Sequence, residues 1–449
     1  MQAATLAAHR FGFAETSLAA LRGDPRGWVL AQLREPAPLD GAGLAGSAEA
    51  GEMTRAVLRR ALAAPAPSMA ASAPADDATP RDPDRLRLRR ANLAALQRRW
   101  QHVIATPTPV AERWTLFWSN HFCVAATKGA TLALVAPHER EAIRPHAFGR
   151  FRDLLRAATL HPAMLLYLDN AQSVGPGSRA GRRRERGLNE NLARELLELH
   201  TLGVDGGYTQ ADVTELAKLL TGRTVDREGP MTAEFRRAIH EPADKRVLGR
   251  RYREGPEAVE ALFDDLSRHP STARHLATKL ARHFVADDPP AALVDALAAR
   301  FRDSDGDLRA LAETLFTHEL AWRAEGPPKF KRPEELLLSA HRLMKLPILR
   351  PERAQTALVQ MGQPPGRAPS PQGWPDRSED WLAPDALWKR VQWASAFADE
   401  HAAFADARQL ASLSFGADLG AGTATQIERA ESGRQALALL LASPEFQRR

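Results

Sequence analysis

The stretch from Gly187 to Thr224 most constrains the fold, because its apolar residues recur with the period of a helix. With about 3.6 residues per turn, one face of its first segment carries Leu192, Ala193, Leu196 and Leu199. The opposite face is polar, so the pattern predicts an amphipathic helix that ends at Gly203. In the second segment, Thr209 and Asp212 have the spacing of a capping box and predict a helix over 210–220.

Two polar residues of this stretch project into the apolar sector of the first helix. Asn189 and His200 would lie against the core, where an unpaired polar group costs about 1–3 kcal/mol. We therefore expect both side chains to have hydrogen-bond partners.

Composition favours a helical, globular protein without a membrane span. Of the 449 residues 44% are hydrophobic, which is enough for one large core or two to three smaller ones. β-Branched residues are sparse, and no apolar run reaches the roughly 18–20 residues that span a bilayer. The single cysteine, Cys123, excludes an intramolecular disulfide and a cysteine-based zinc cluster. We predict a mainly α fold, a single domain over 1–449 with one small β-hairpin.

The same patterns place further helices and loops along the chain. Helices are expected at 25–33, 52–63, 83–104, 151–160, 257–267, 271–285, 290–302, 308–316 and 333–344, and helical spacing also runs from Val110 to His121. The one expected strand pair joins 234–240 to 245–248. Loops are expected near 64–82 (Ala/Pro-rich), 171–187 (basic) and 361–380 (Pro-rich).

Several segments resemble a bacterial family, the domain of unknown function 1800 family. The central segment, NENLARELLELHTLGVDGGYTQADV, begins at Asn189 and is followed by Leu-Thr-Gly at 220–222. The others are RFGF at 10–13, FWSNHF at 117–122, MLLYLDNAQSVGPGS at 164–178, HEPADKRVLG at 240–249, PPKFKRPEELLLSAHRL at 327–343 and PQGWPDRSEDWLAP at 371–384. The family has no established activity. Its members are often encoded beside proteins of the 1501 family, so the resemblance implies such a protein as a partner.

Two positions depart from the family pattern as we know it. Ser119 stands where many members have a second histidine, and Glu241 stands where an aspartate is common. Both departures weaken a metal site built on these segments.

Acidic, amide and histidine side chains of these segments suggest a polar pocket. Clustered carboxylates and imidazoles are the usual acid–base and metal-binding groups, so we select catalytic candidates Glu195, Glu198, His200 and Asp212. Candidate binding residues are Asn189, Asn191, Arg194, Asn120 and Tyr208. Candidate ligands for a divalent metal ion are His121 and His240.

The same residues have a structural interpretation. Glu190, Arg194 and Glu198 follow one another at i,i+4 and can form ion pairs along the helix surface. His121 ends an apolar stripe and can be a hydrogen-bonded core histidine. Two functions therefore stay open: an enzyme or metal-binding protein with a pocket around the central segment, or a non-catalytic helical partner of a 1501-family protein.

The net charge and the absence of known motifs in the sequence argue against several other functions. The net charge of +6 is slight for this length, and the basic loop lacks interleaved aromatic residues, so nucleic-acid binding is unlikely. No phosphate-binding glycine loop, GxSxG or HExxH motif is present. The first residues lack a basic segment followed by an apolar run, so we expect a cytoplasmic protein, with export if a signal is missing from this chain.

Overall fold

Helices make up most of the chain, as predicted. The computed structural model describes residues 2–34, 36–63, 82–183, 187–226, 228–229, 231–323 and 328–449. The first half contains α1 (Ala3–Thr5), α2 (Pro25–Arg34), α3 (Ser47–Ala63), α4 (Pro83–Ala105), α5 (Pro109–His121), α6 (Val135–His138), α7 (Phe151–Leu160), α8 (Pro162–Tyr167), α9 (Asn191–Glu195) and α10 (Gln210–Leu220). The second half contains α11 (Glu257–Arg268), α12 (Pro270–Phe284), α13 (Ala291–Asp303), α14 (Leu308–Thr317), α15 (Pro333–Leu343), α16 (Pro351–Gln360), α17 (Pro384–His401), α18 (Ala407–Phe415), α19 (Ala421–Glu428), α20 (Gly433–Ala442) and α21 (Pro444–Gln447).

Capping residues explain why several helices begin where the sequence predicted. Thr209 and Asp212 form the expected capping box of α10, in which each side chain accepts a hydrogen bond from the other residue's backbone N–H. The Asp82 carboxylate accepts from the backbone N–H of Asp84, and Pro83 begins α4. The Ala/Pro-rich loop predicted near 64–82 lies outside the described residues apart from Asp82.

The strands form two hairpins, β1 (Arg223–Val225) with β2 (Ala233–Phe235) and β3 (Lys245–Val247) with β4 (Arg250–Tyr252). The predicted pairing of 234–240 with 245–248 is therefore wrong. Between β3 and β4, Leu248 and Gly249 both have positive φ, of 51° and 77°. Such a two-residue turn closes a hairpin on itself, so β3 pairs with the strand that follows it.

Two hydrophobic clusters contain most of the buried apolar side chains. The larger cluster draws on residues from Ala4 to Trp322. The smaller one combines 336–446 with Phe13 and with apolar residues of α4 and α5. Because α4 and α5 contribute to both clusters, they lie at the boundary between them. No helix in the described part of the chain is long and apolar enough to cross a membrane.

Candidate functional site

A cavity of about 740 Å³ lies along α4 and α5, a size typical of small-molecule sites. We call it the motif cavity, because four of the segments that carry the family resemblance line it. These segments contribute Phe13 from 10–13, Ser119 and Asn120 from 117–122, Arg332, Glu334, Glu335 and Leu338 from 327–343, and Trp374 from 371–384. Residues far apart in sequence thus meet around one space.

The walls of the motif cavity are largely apolar. Helix α4 contributes residues three or four positions apart, which places them on one helical face. The apolar lining includes Leu88, Leu93, Leu96, Leu116, Val124, Leu132, Val135 and Leu338. Such a wall favours an organic molecule with an apolar body.

Two groups of ion-paired side chains belong to the cavity lining, one around Glu139 and Glu334 and one around Glu335, and we call them the floor. Arg99 Nη1 lies 2.7 Å from Glu334 Oε1, and Arg99 Nε lies 3.0 Å from Glu139 Oε2. Burial alone would raise the pKa of Glu139, but Arg99 and Arg144 lower it below its ordinary value. Ser119 donates its hydroxyl hydrogen to Glu139 at 3.0 Å. Glu139 is therefore an ionised carboxylate that holds its neighbours in place.

Glu335 forms the centre of the other side of the floor. Its Oε1 lies 2.8 Å from Arg113 Nη1 and 3.3 Å from Arg332 Nη2, and its Oε2 lies 3.2 Å from Arg449 Nε. Burial would raise the pKa of this carboxyl, but the three guanidinium groups hold it well below the ordinary value. The floor is thus charged, internally paired and fixed in position.

His283 is the one imidazole among the described residues that line the cavity. Its Nδ1 lies 3.0 Å from both carboxylate oxygens of Asp376. Burial lowers the pKa of His283 to about 4, although Asp376 opposes the shift. The ring is therefore neutral at pH 7. Since a carboxylate only accepts, Nδ1 carries the hydrogen, and Nε2 is left as an unprotonated acceptor.

Asn120 connects the cavity wall to the Pro-rich loop. Its Oδ1 accepts from the Trp374 backbone N–H at 2.8 Å, and its Nδ2 donates to the Trp374 carbonyl at 3.0 Å. Gly373 has φ of +85°, and a Cβ there would lie 2.5 Å from the Asn120 carbonyl oxygen. The amide of Asn120 therefore positions the loop that carries Trp374 and Asp376.

The central segment lies elsewhere and departs from a regular α-helix. Residues Leu196–Thr201 form a π-helix, in which hydrogen bonds join residues five positions apart. The Leu202 N–H, for example, donates to the Leu197 carbonyl at 2.8 Å. The wider turn buries Leu197 and Thr201 and leaves Leu199 part-exposed, unlike the predicted apolar face.

Two histidines from other helices bind the carbonyls at the end of this π-helix. His121 Nε2 lies 3.1 Å from the His200 carbonyl, and His275 Nε2 lies 3.1 Å from the Leu199 carbonyl. Carbonyls in a last helical turn have no partner within the helix, so these imidazoles satisfy them. His121 is thus a buried, hydrogen-bonded histidine.

The prediction of a hydrogen-bond partner is confirmed for the Asn189 side chain and wrong for the His200 side chain. The Asn189 side chain accepts from the Asn191 N–H at 2.9 Å, as expected of a residue just before a helix. The His200 ring is fully buried, and neither ring nitrogen has a partner in the described part of the chain, so that expectation is wrong. Burial lowers the pKa of His200 to about 3, which keeps the ring neutral.

Arg194, Glu198 and Asp212, which are further candidates, contact residues near them in the fold. Arg194 pairs with Glu190 at 3.3 Å, and Glu198 accepts from the Tyr208 hydroxyl at 3.1 Å. Burial and Glu198 raise the pKa of Glu195. Besides capping α10, Asp212 accepts from the Leu248 N–H at 2.7 Å.

The two predicted metal ligands bind different backbone carbonyls. His121 donates to His200, whereas the Nδ1 of His240 lies 2.7 Å from the Thr221 carbonyl. Across the described ranges, no three His, Cys, Asp or Glu side chains form a group that could hold a metal ion. Of the eleven residues selected from the sequence, Asn120 is the one found in the described lining of the motif cavity.

Sequence reasoning missed the charged floor and the His283–Asp376 pair. A signal was present, because Asp376 follows Trp374 within PQGWPDRSED, and Glu334 and Glu335 lie within KFKRPEELLL. Treating these segments as parts of one site would have pointed to the cavity.

The fold and site together define a helical protein with a large amphipathic cavity. The model of a family described as a protein of unknown function, DUF1800, matches residues 6–448, and the chain belongs to this family. Comparison with curated proteins and with solved structures gave no significant match.

Proposed function

We propose that this protein binds a small organic molecule in the motif cavity. The observation that carries the proposal is the convergence of four separate family-type segments on this one space. A mostly apolar pocket with a few converging polar groups is the usual form of a small-molecule site.

The physical character of the cavity supports this proposal. Its apolar walls would bury the body of a ligand, and the charged side chains of its lining would orient the ligand's polar groups. Because the floor residues are already ion-paired, binding would require little reorganisation of them.

A cavity-filling variant tests the proposal with Nile red, a neutral fluorescent dye. Leu96→Trp adds an indole to the wall, and Leu413→Trp makes the same change on α18, outside the cavity lining. We expect Leu96→Trp to weaken dye binding about tenfold or more and Leu413→Trp to leave it unchanged. Equal binding by both variants and the parent protein would refute the proposal.

A second candidate function is catalysis by His283, which the Asp376 contact favours. A neutral imidazole whose Nδ1 is held by a carboxylate presents Nε2 as a general base. Hydrolysis of p-nitrophenyl esters of graded acyl length would test it with His283→Gln. The control is His275→Gln, on the same helix, because burial lowers the pKa of His275 to about 4 as well. Hydrolysis equal in the two variants would exclude His283 as the base.

The alternative of a non-catalytic partner of a 1501-family protein also has a specific observation in its favour. Helix α17 exposes Leu387, Trp388 and Val391, and Trp388 is 62% exposed. Contiguous exposed apolar residues often mark protein-binding surfaces. Co-elution of the two purified proteins, lost in Trp388→Gln, is the expected result; co-elution that this variant retains would remove the support that α17 gives.

A further inference from the structure

We infer that the ligand of the motif cavity is an amphiphile: an apolar chain with an acidic group, a carboxylate or a phosphate, that binds at the cavity rim. This inference rests on the proposed function, since it names the class of molecule that the cavity accepts.

The charges that line the cavity are unequal in number. Three carboxylates belong to the lining, Glu139, Glu334 and Glu335. Seven guanidinium groups also belong to it, those of Arg85, Arg89, Arg99, Arg113, Arg140, Arg332 and Arg367. A concave surface with this excess of positive charge concentrates anions.

The floor cannot account for this excess, because its charges compensate one another. Each of the three carboxylates lies within 3.3 Å of a lining arginine, at 3.0 Å for Glu139, 2.7 Å for Glu334 and 2.8 and 3.3 Å for Glu335. The floor arginines thus already have carboxylate partners, and the uncompensated charge lies nearer the solvent.

The rim carries that uncompensated charge. Arg85 and Arg89 are exposed and lie one turn apart on α4, and Arg367 is exposed in the loop after α16. Arg85 approaches Asp82 at 3.7 Å, while Asp82 lies closer, at 3.0 Å, to another arginine. Among the described residues, neither the guanidinium group of Arg89 nor that of Arg367 has a hydrogen-bond or ion-pair partner.

The order of surfaces from rim to floor fixes the orientation of the ligand. Along α4 the exposed Arg85 and Arg89 come first, Leu93 and Leu96 follow, and Arg99 of the paired floor comes last, so an apolar zone separates the rim arginines from the floor on this helix. An acidic group at the rim keeps water on one side and meets free guanidinium donors on the other. The apolar chain then fills the zone beneath it, where burial removes it from water.

A series of twelve-carbon probes with different head groups tests this inference by displacement of Nile red below micellar concentrations. The series is dodecanoate, dodecyl phosphate, dodecanol and dodecyltrimethylammonium, with anionic phospholipid vesicles as a separate arm. At about 20 mM salt we expect the two anions to bind about tenfold more tightly than dodecanol. The preference should shrink at about 500 mM salt, because exposed charges are then screened.

Two double variants with the same change of net charge assign the effect to the rim. Arg89→Gln/Arg367→Gln should abolish the preference for anions without weakening dodecanol binding. Arg253→Gln/Arg302→Gln, at exposed arginines outside the cavity lining, should retain the preference.

The outcomes separate this inference from the proposed function. If dodecanol binds as tightly as dodecanoate and Leu96→Trp blocks both, the cavity binds ligands and the acidic head group is overturned. If no probe binding responds to Leu96→Trp, the proposed function itself fails. If vesicles bind and monomeric anions do not, a membrane surface replaces the soluble amphiphile and the inference is likewise overturned.

Discussion

Acid should destabilise this protein well above the pH at which carboxylates titrate, because many of its histidines are buried in the neutral form. Among the described histidine side chains that are at most 6% exposed, six have a strongly lowered pKa, those of His9, His121, His138, His200, His283 and His341. Burial is the largest cause of a lowered pKa in each: to about 3 for His9 and His200, to about 4 for His283 and His341, and well below 6.5 for the other two.

The direction of the effect follows from where the protons bind. An imidazole with a lowered pKa in the folded state takes up its proton first in the unfolded chain. Stability is therefore fully present above the ordinary pKa of 6.5 and is lost as the pH falls toward the folded values of about 3 to 4. From pH 7 to 5.5 the free energy of unfolding falls by about 1 kcal/mol for each such histidine, and therefore by several kcal/mol for the six together.

A loss of that size is comparable with the total stability of a typical domain, which is about 5–15 kcal/mol. Urea denaturation followed by tryptophan fluorescence at pH 7 and 5.5 measures it. The variant His200→Leu removes one buried imidazole, so the difference in unfolding free energy between the two pH values should shrink by about 1 kcal/mol. An unchanged denaturation midpoint at pH 5.5, or an equal pH dependence in this variant, would refute the reasoning.

Three further substitutions, with Gly362→Ala as a control for the first, probe single contacts by urea denaturation. Gly373→Ala forces a side chain into a left-handed conformation and a close approach, so it should lower stability by about 1–3 kcal/mol. Gly362→Ala, with φ of +88° in open space, should cost less, and an equal loss would contradict the steric argument. Thr209→Val removes the cap of α10 and should cost about 0.5–2 kcal/mol; no loss would mean that the cap is replaced by water. Glu335→Gln leaves Arg113 without its carboxylate and should cost about 3–5 kcal/mol, whereas near-neutral behaviour would show that the pair is dispensable.

Local signals in the sequence were enough to place most helices. The prediction for 210–220 coincides with α10, because Thr209 and Asp212 act on neighbouring backbone groups. The prediction for 151–160 coincides with α7 for a similar reason, since His161 and Pro162 begin the next helix. These determinants lie within a few residues of the structure they control.

The misjudged elements depend on contacts that are distant in sequence or on backbone conformations outside the helical pattern. A period of about 3.6 residues cannot predict a π-helical turn, so the burial of Leu197 was missed. The hairpin pairing failed because Leu248, an ordinary residue, adopts positive φ in a tight turn.

The cavity was missed for a different reason. Its lining combines Phe13, Ser119, Glu335 and Trp374, which are separated by up to most of the chain length. Periodicity gives the face of a helix on which a residue lies, but not the other helix that this face meets. In the sequence, the family-type segments were the only indication that these residues belong to one site.

The two imidazoles that complete the π-helix have a consequence for the order of folding. His121 precedes its carbonyl partner by 79 residues, and His275 follows its own by 76. During synthesis, α12 follows the central segment. Both carbonyls can therefore be hydrogen-bonded only after the ribosome has added α12. Contacts between residues far apart in sequence form more slowly than local ones. The end of the π-helix should therefore be among the last parts of the native structure to form. Its backbone N–H groups should gain protection from hydrogen exchange late in refolding.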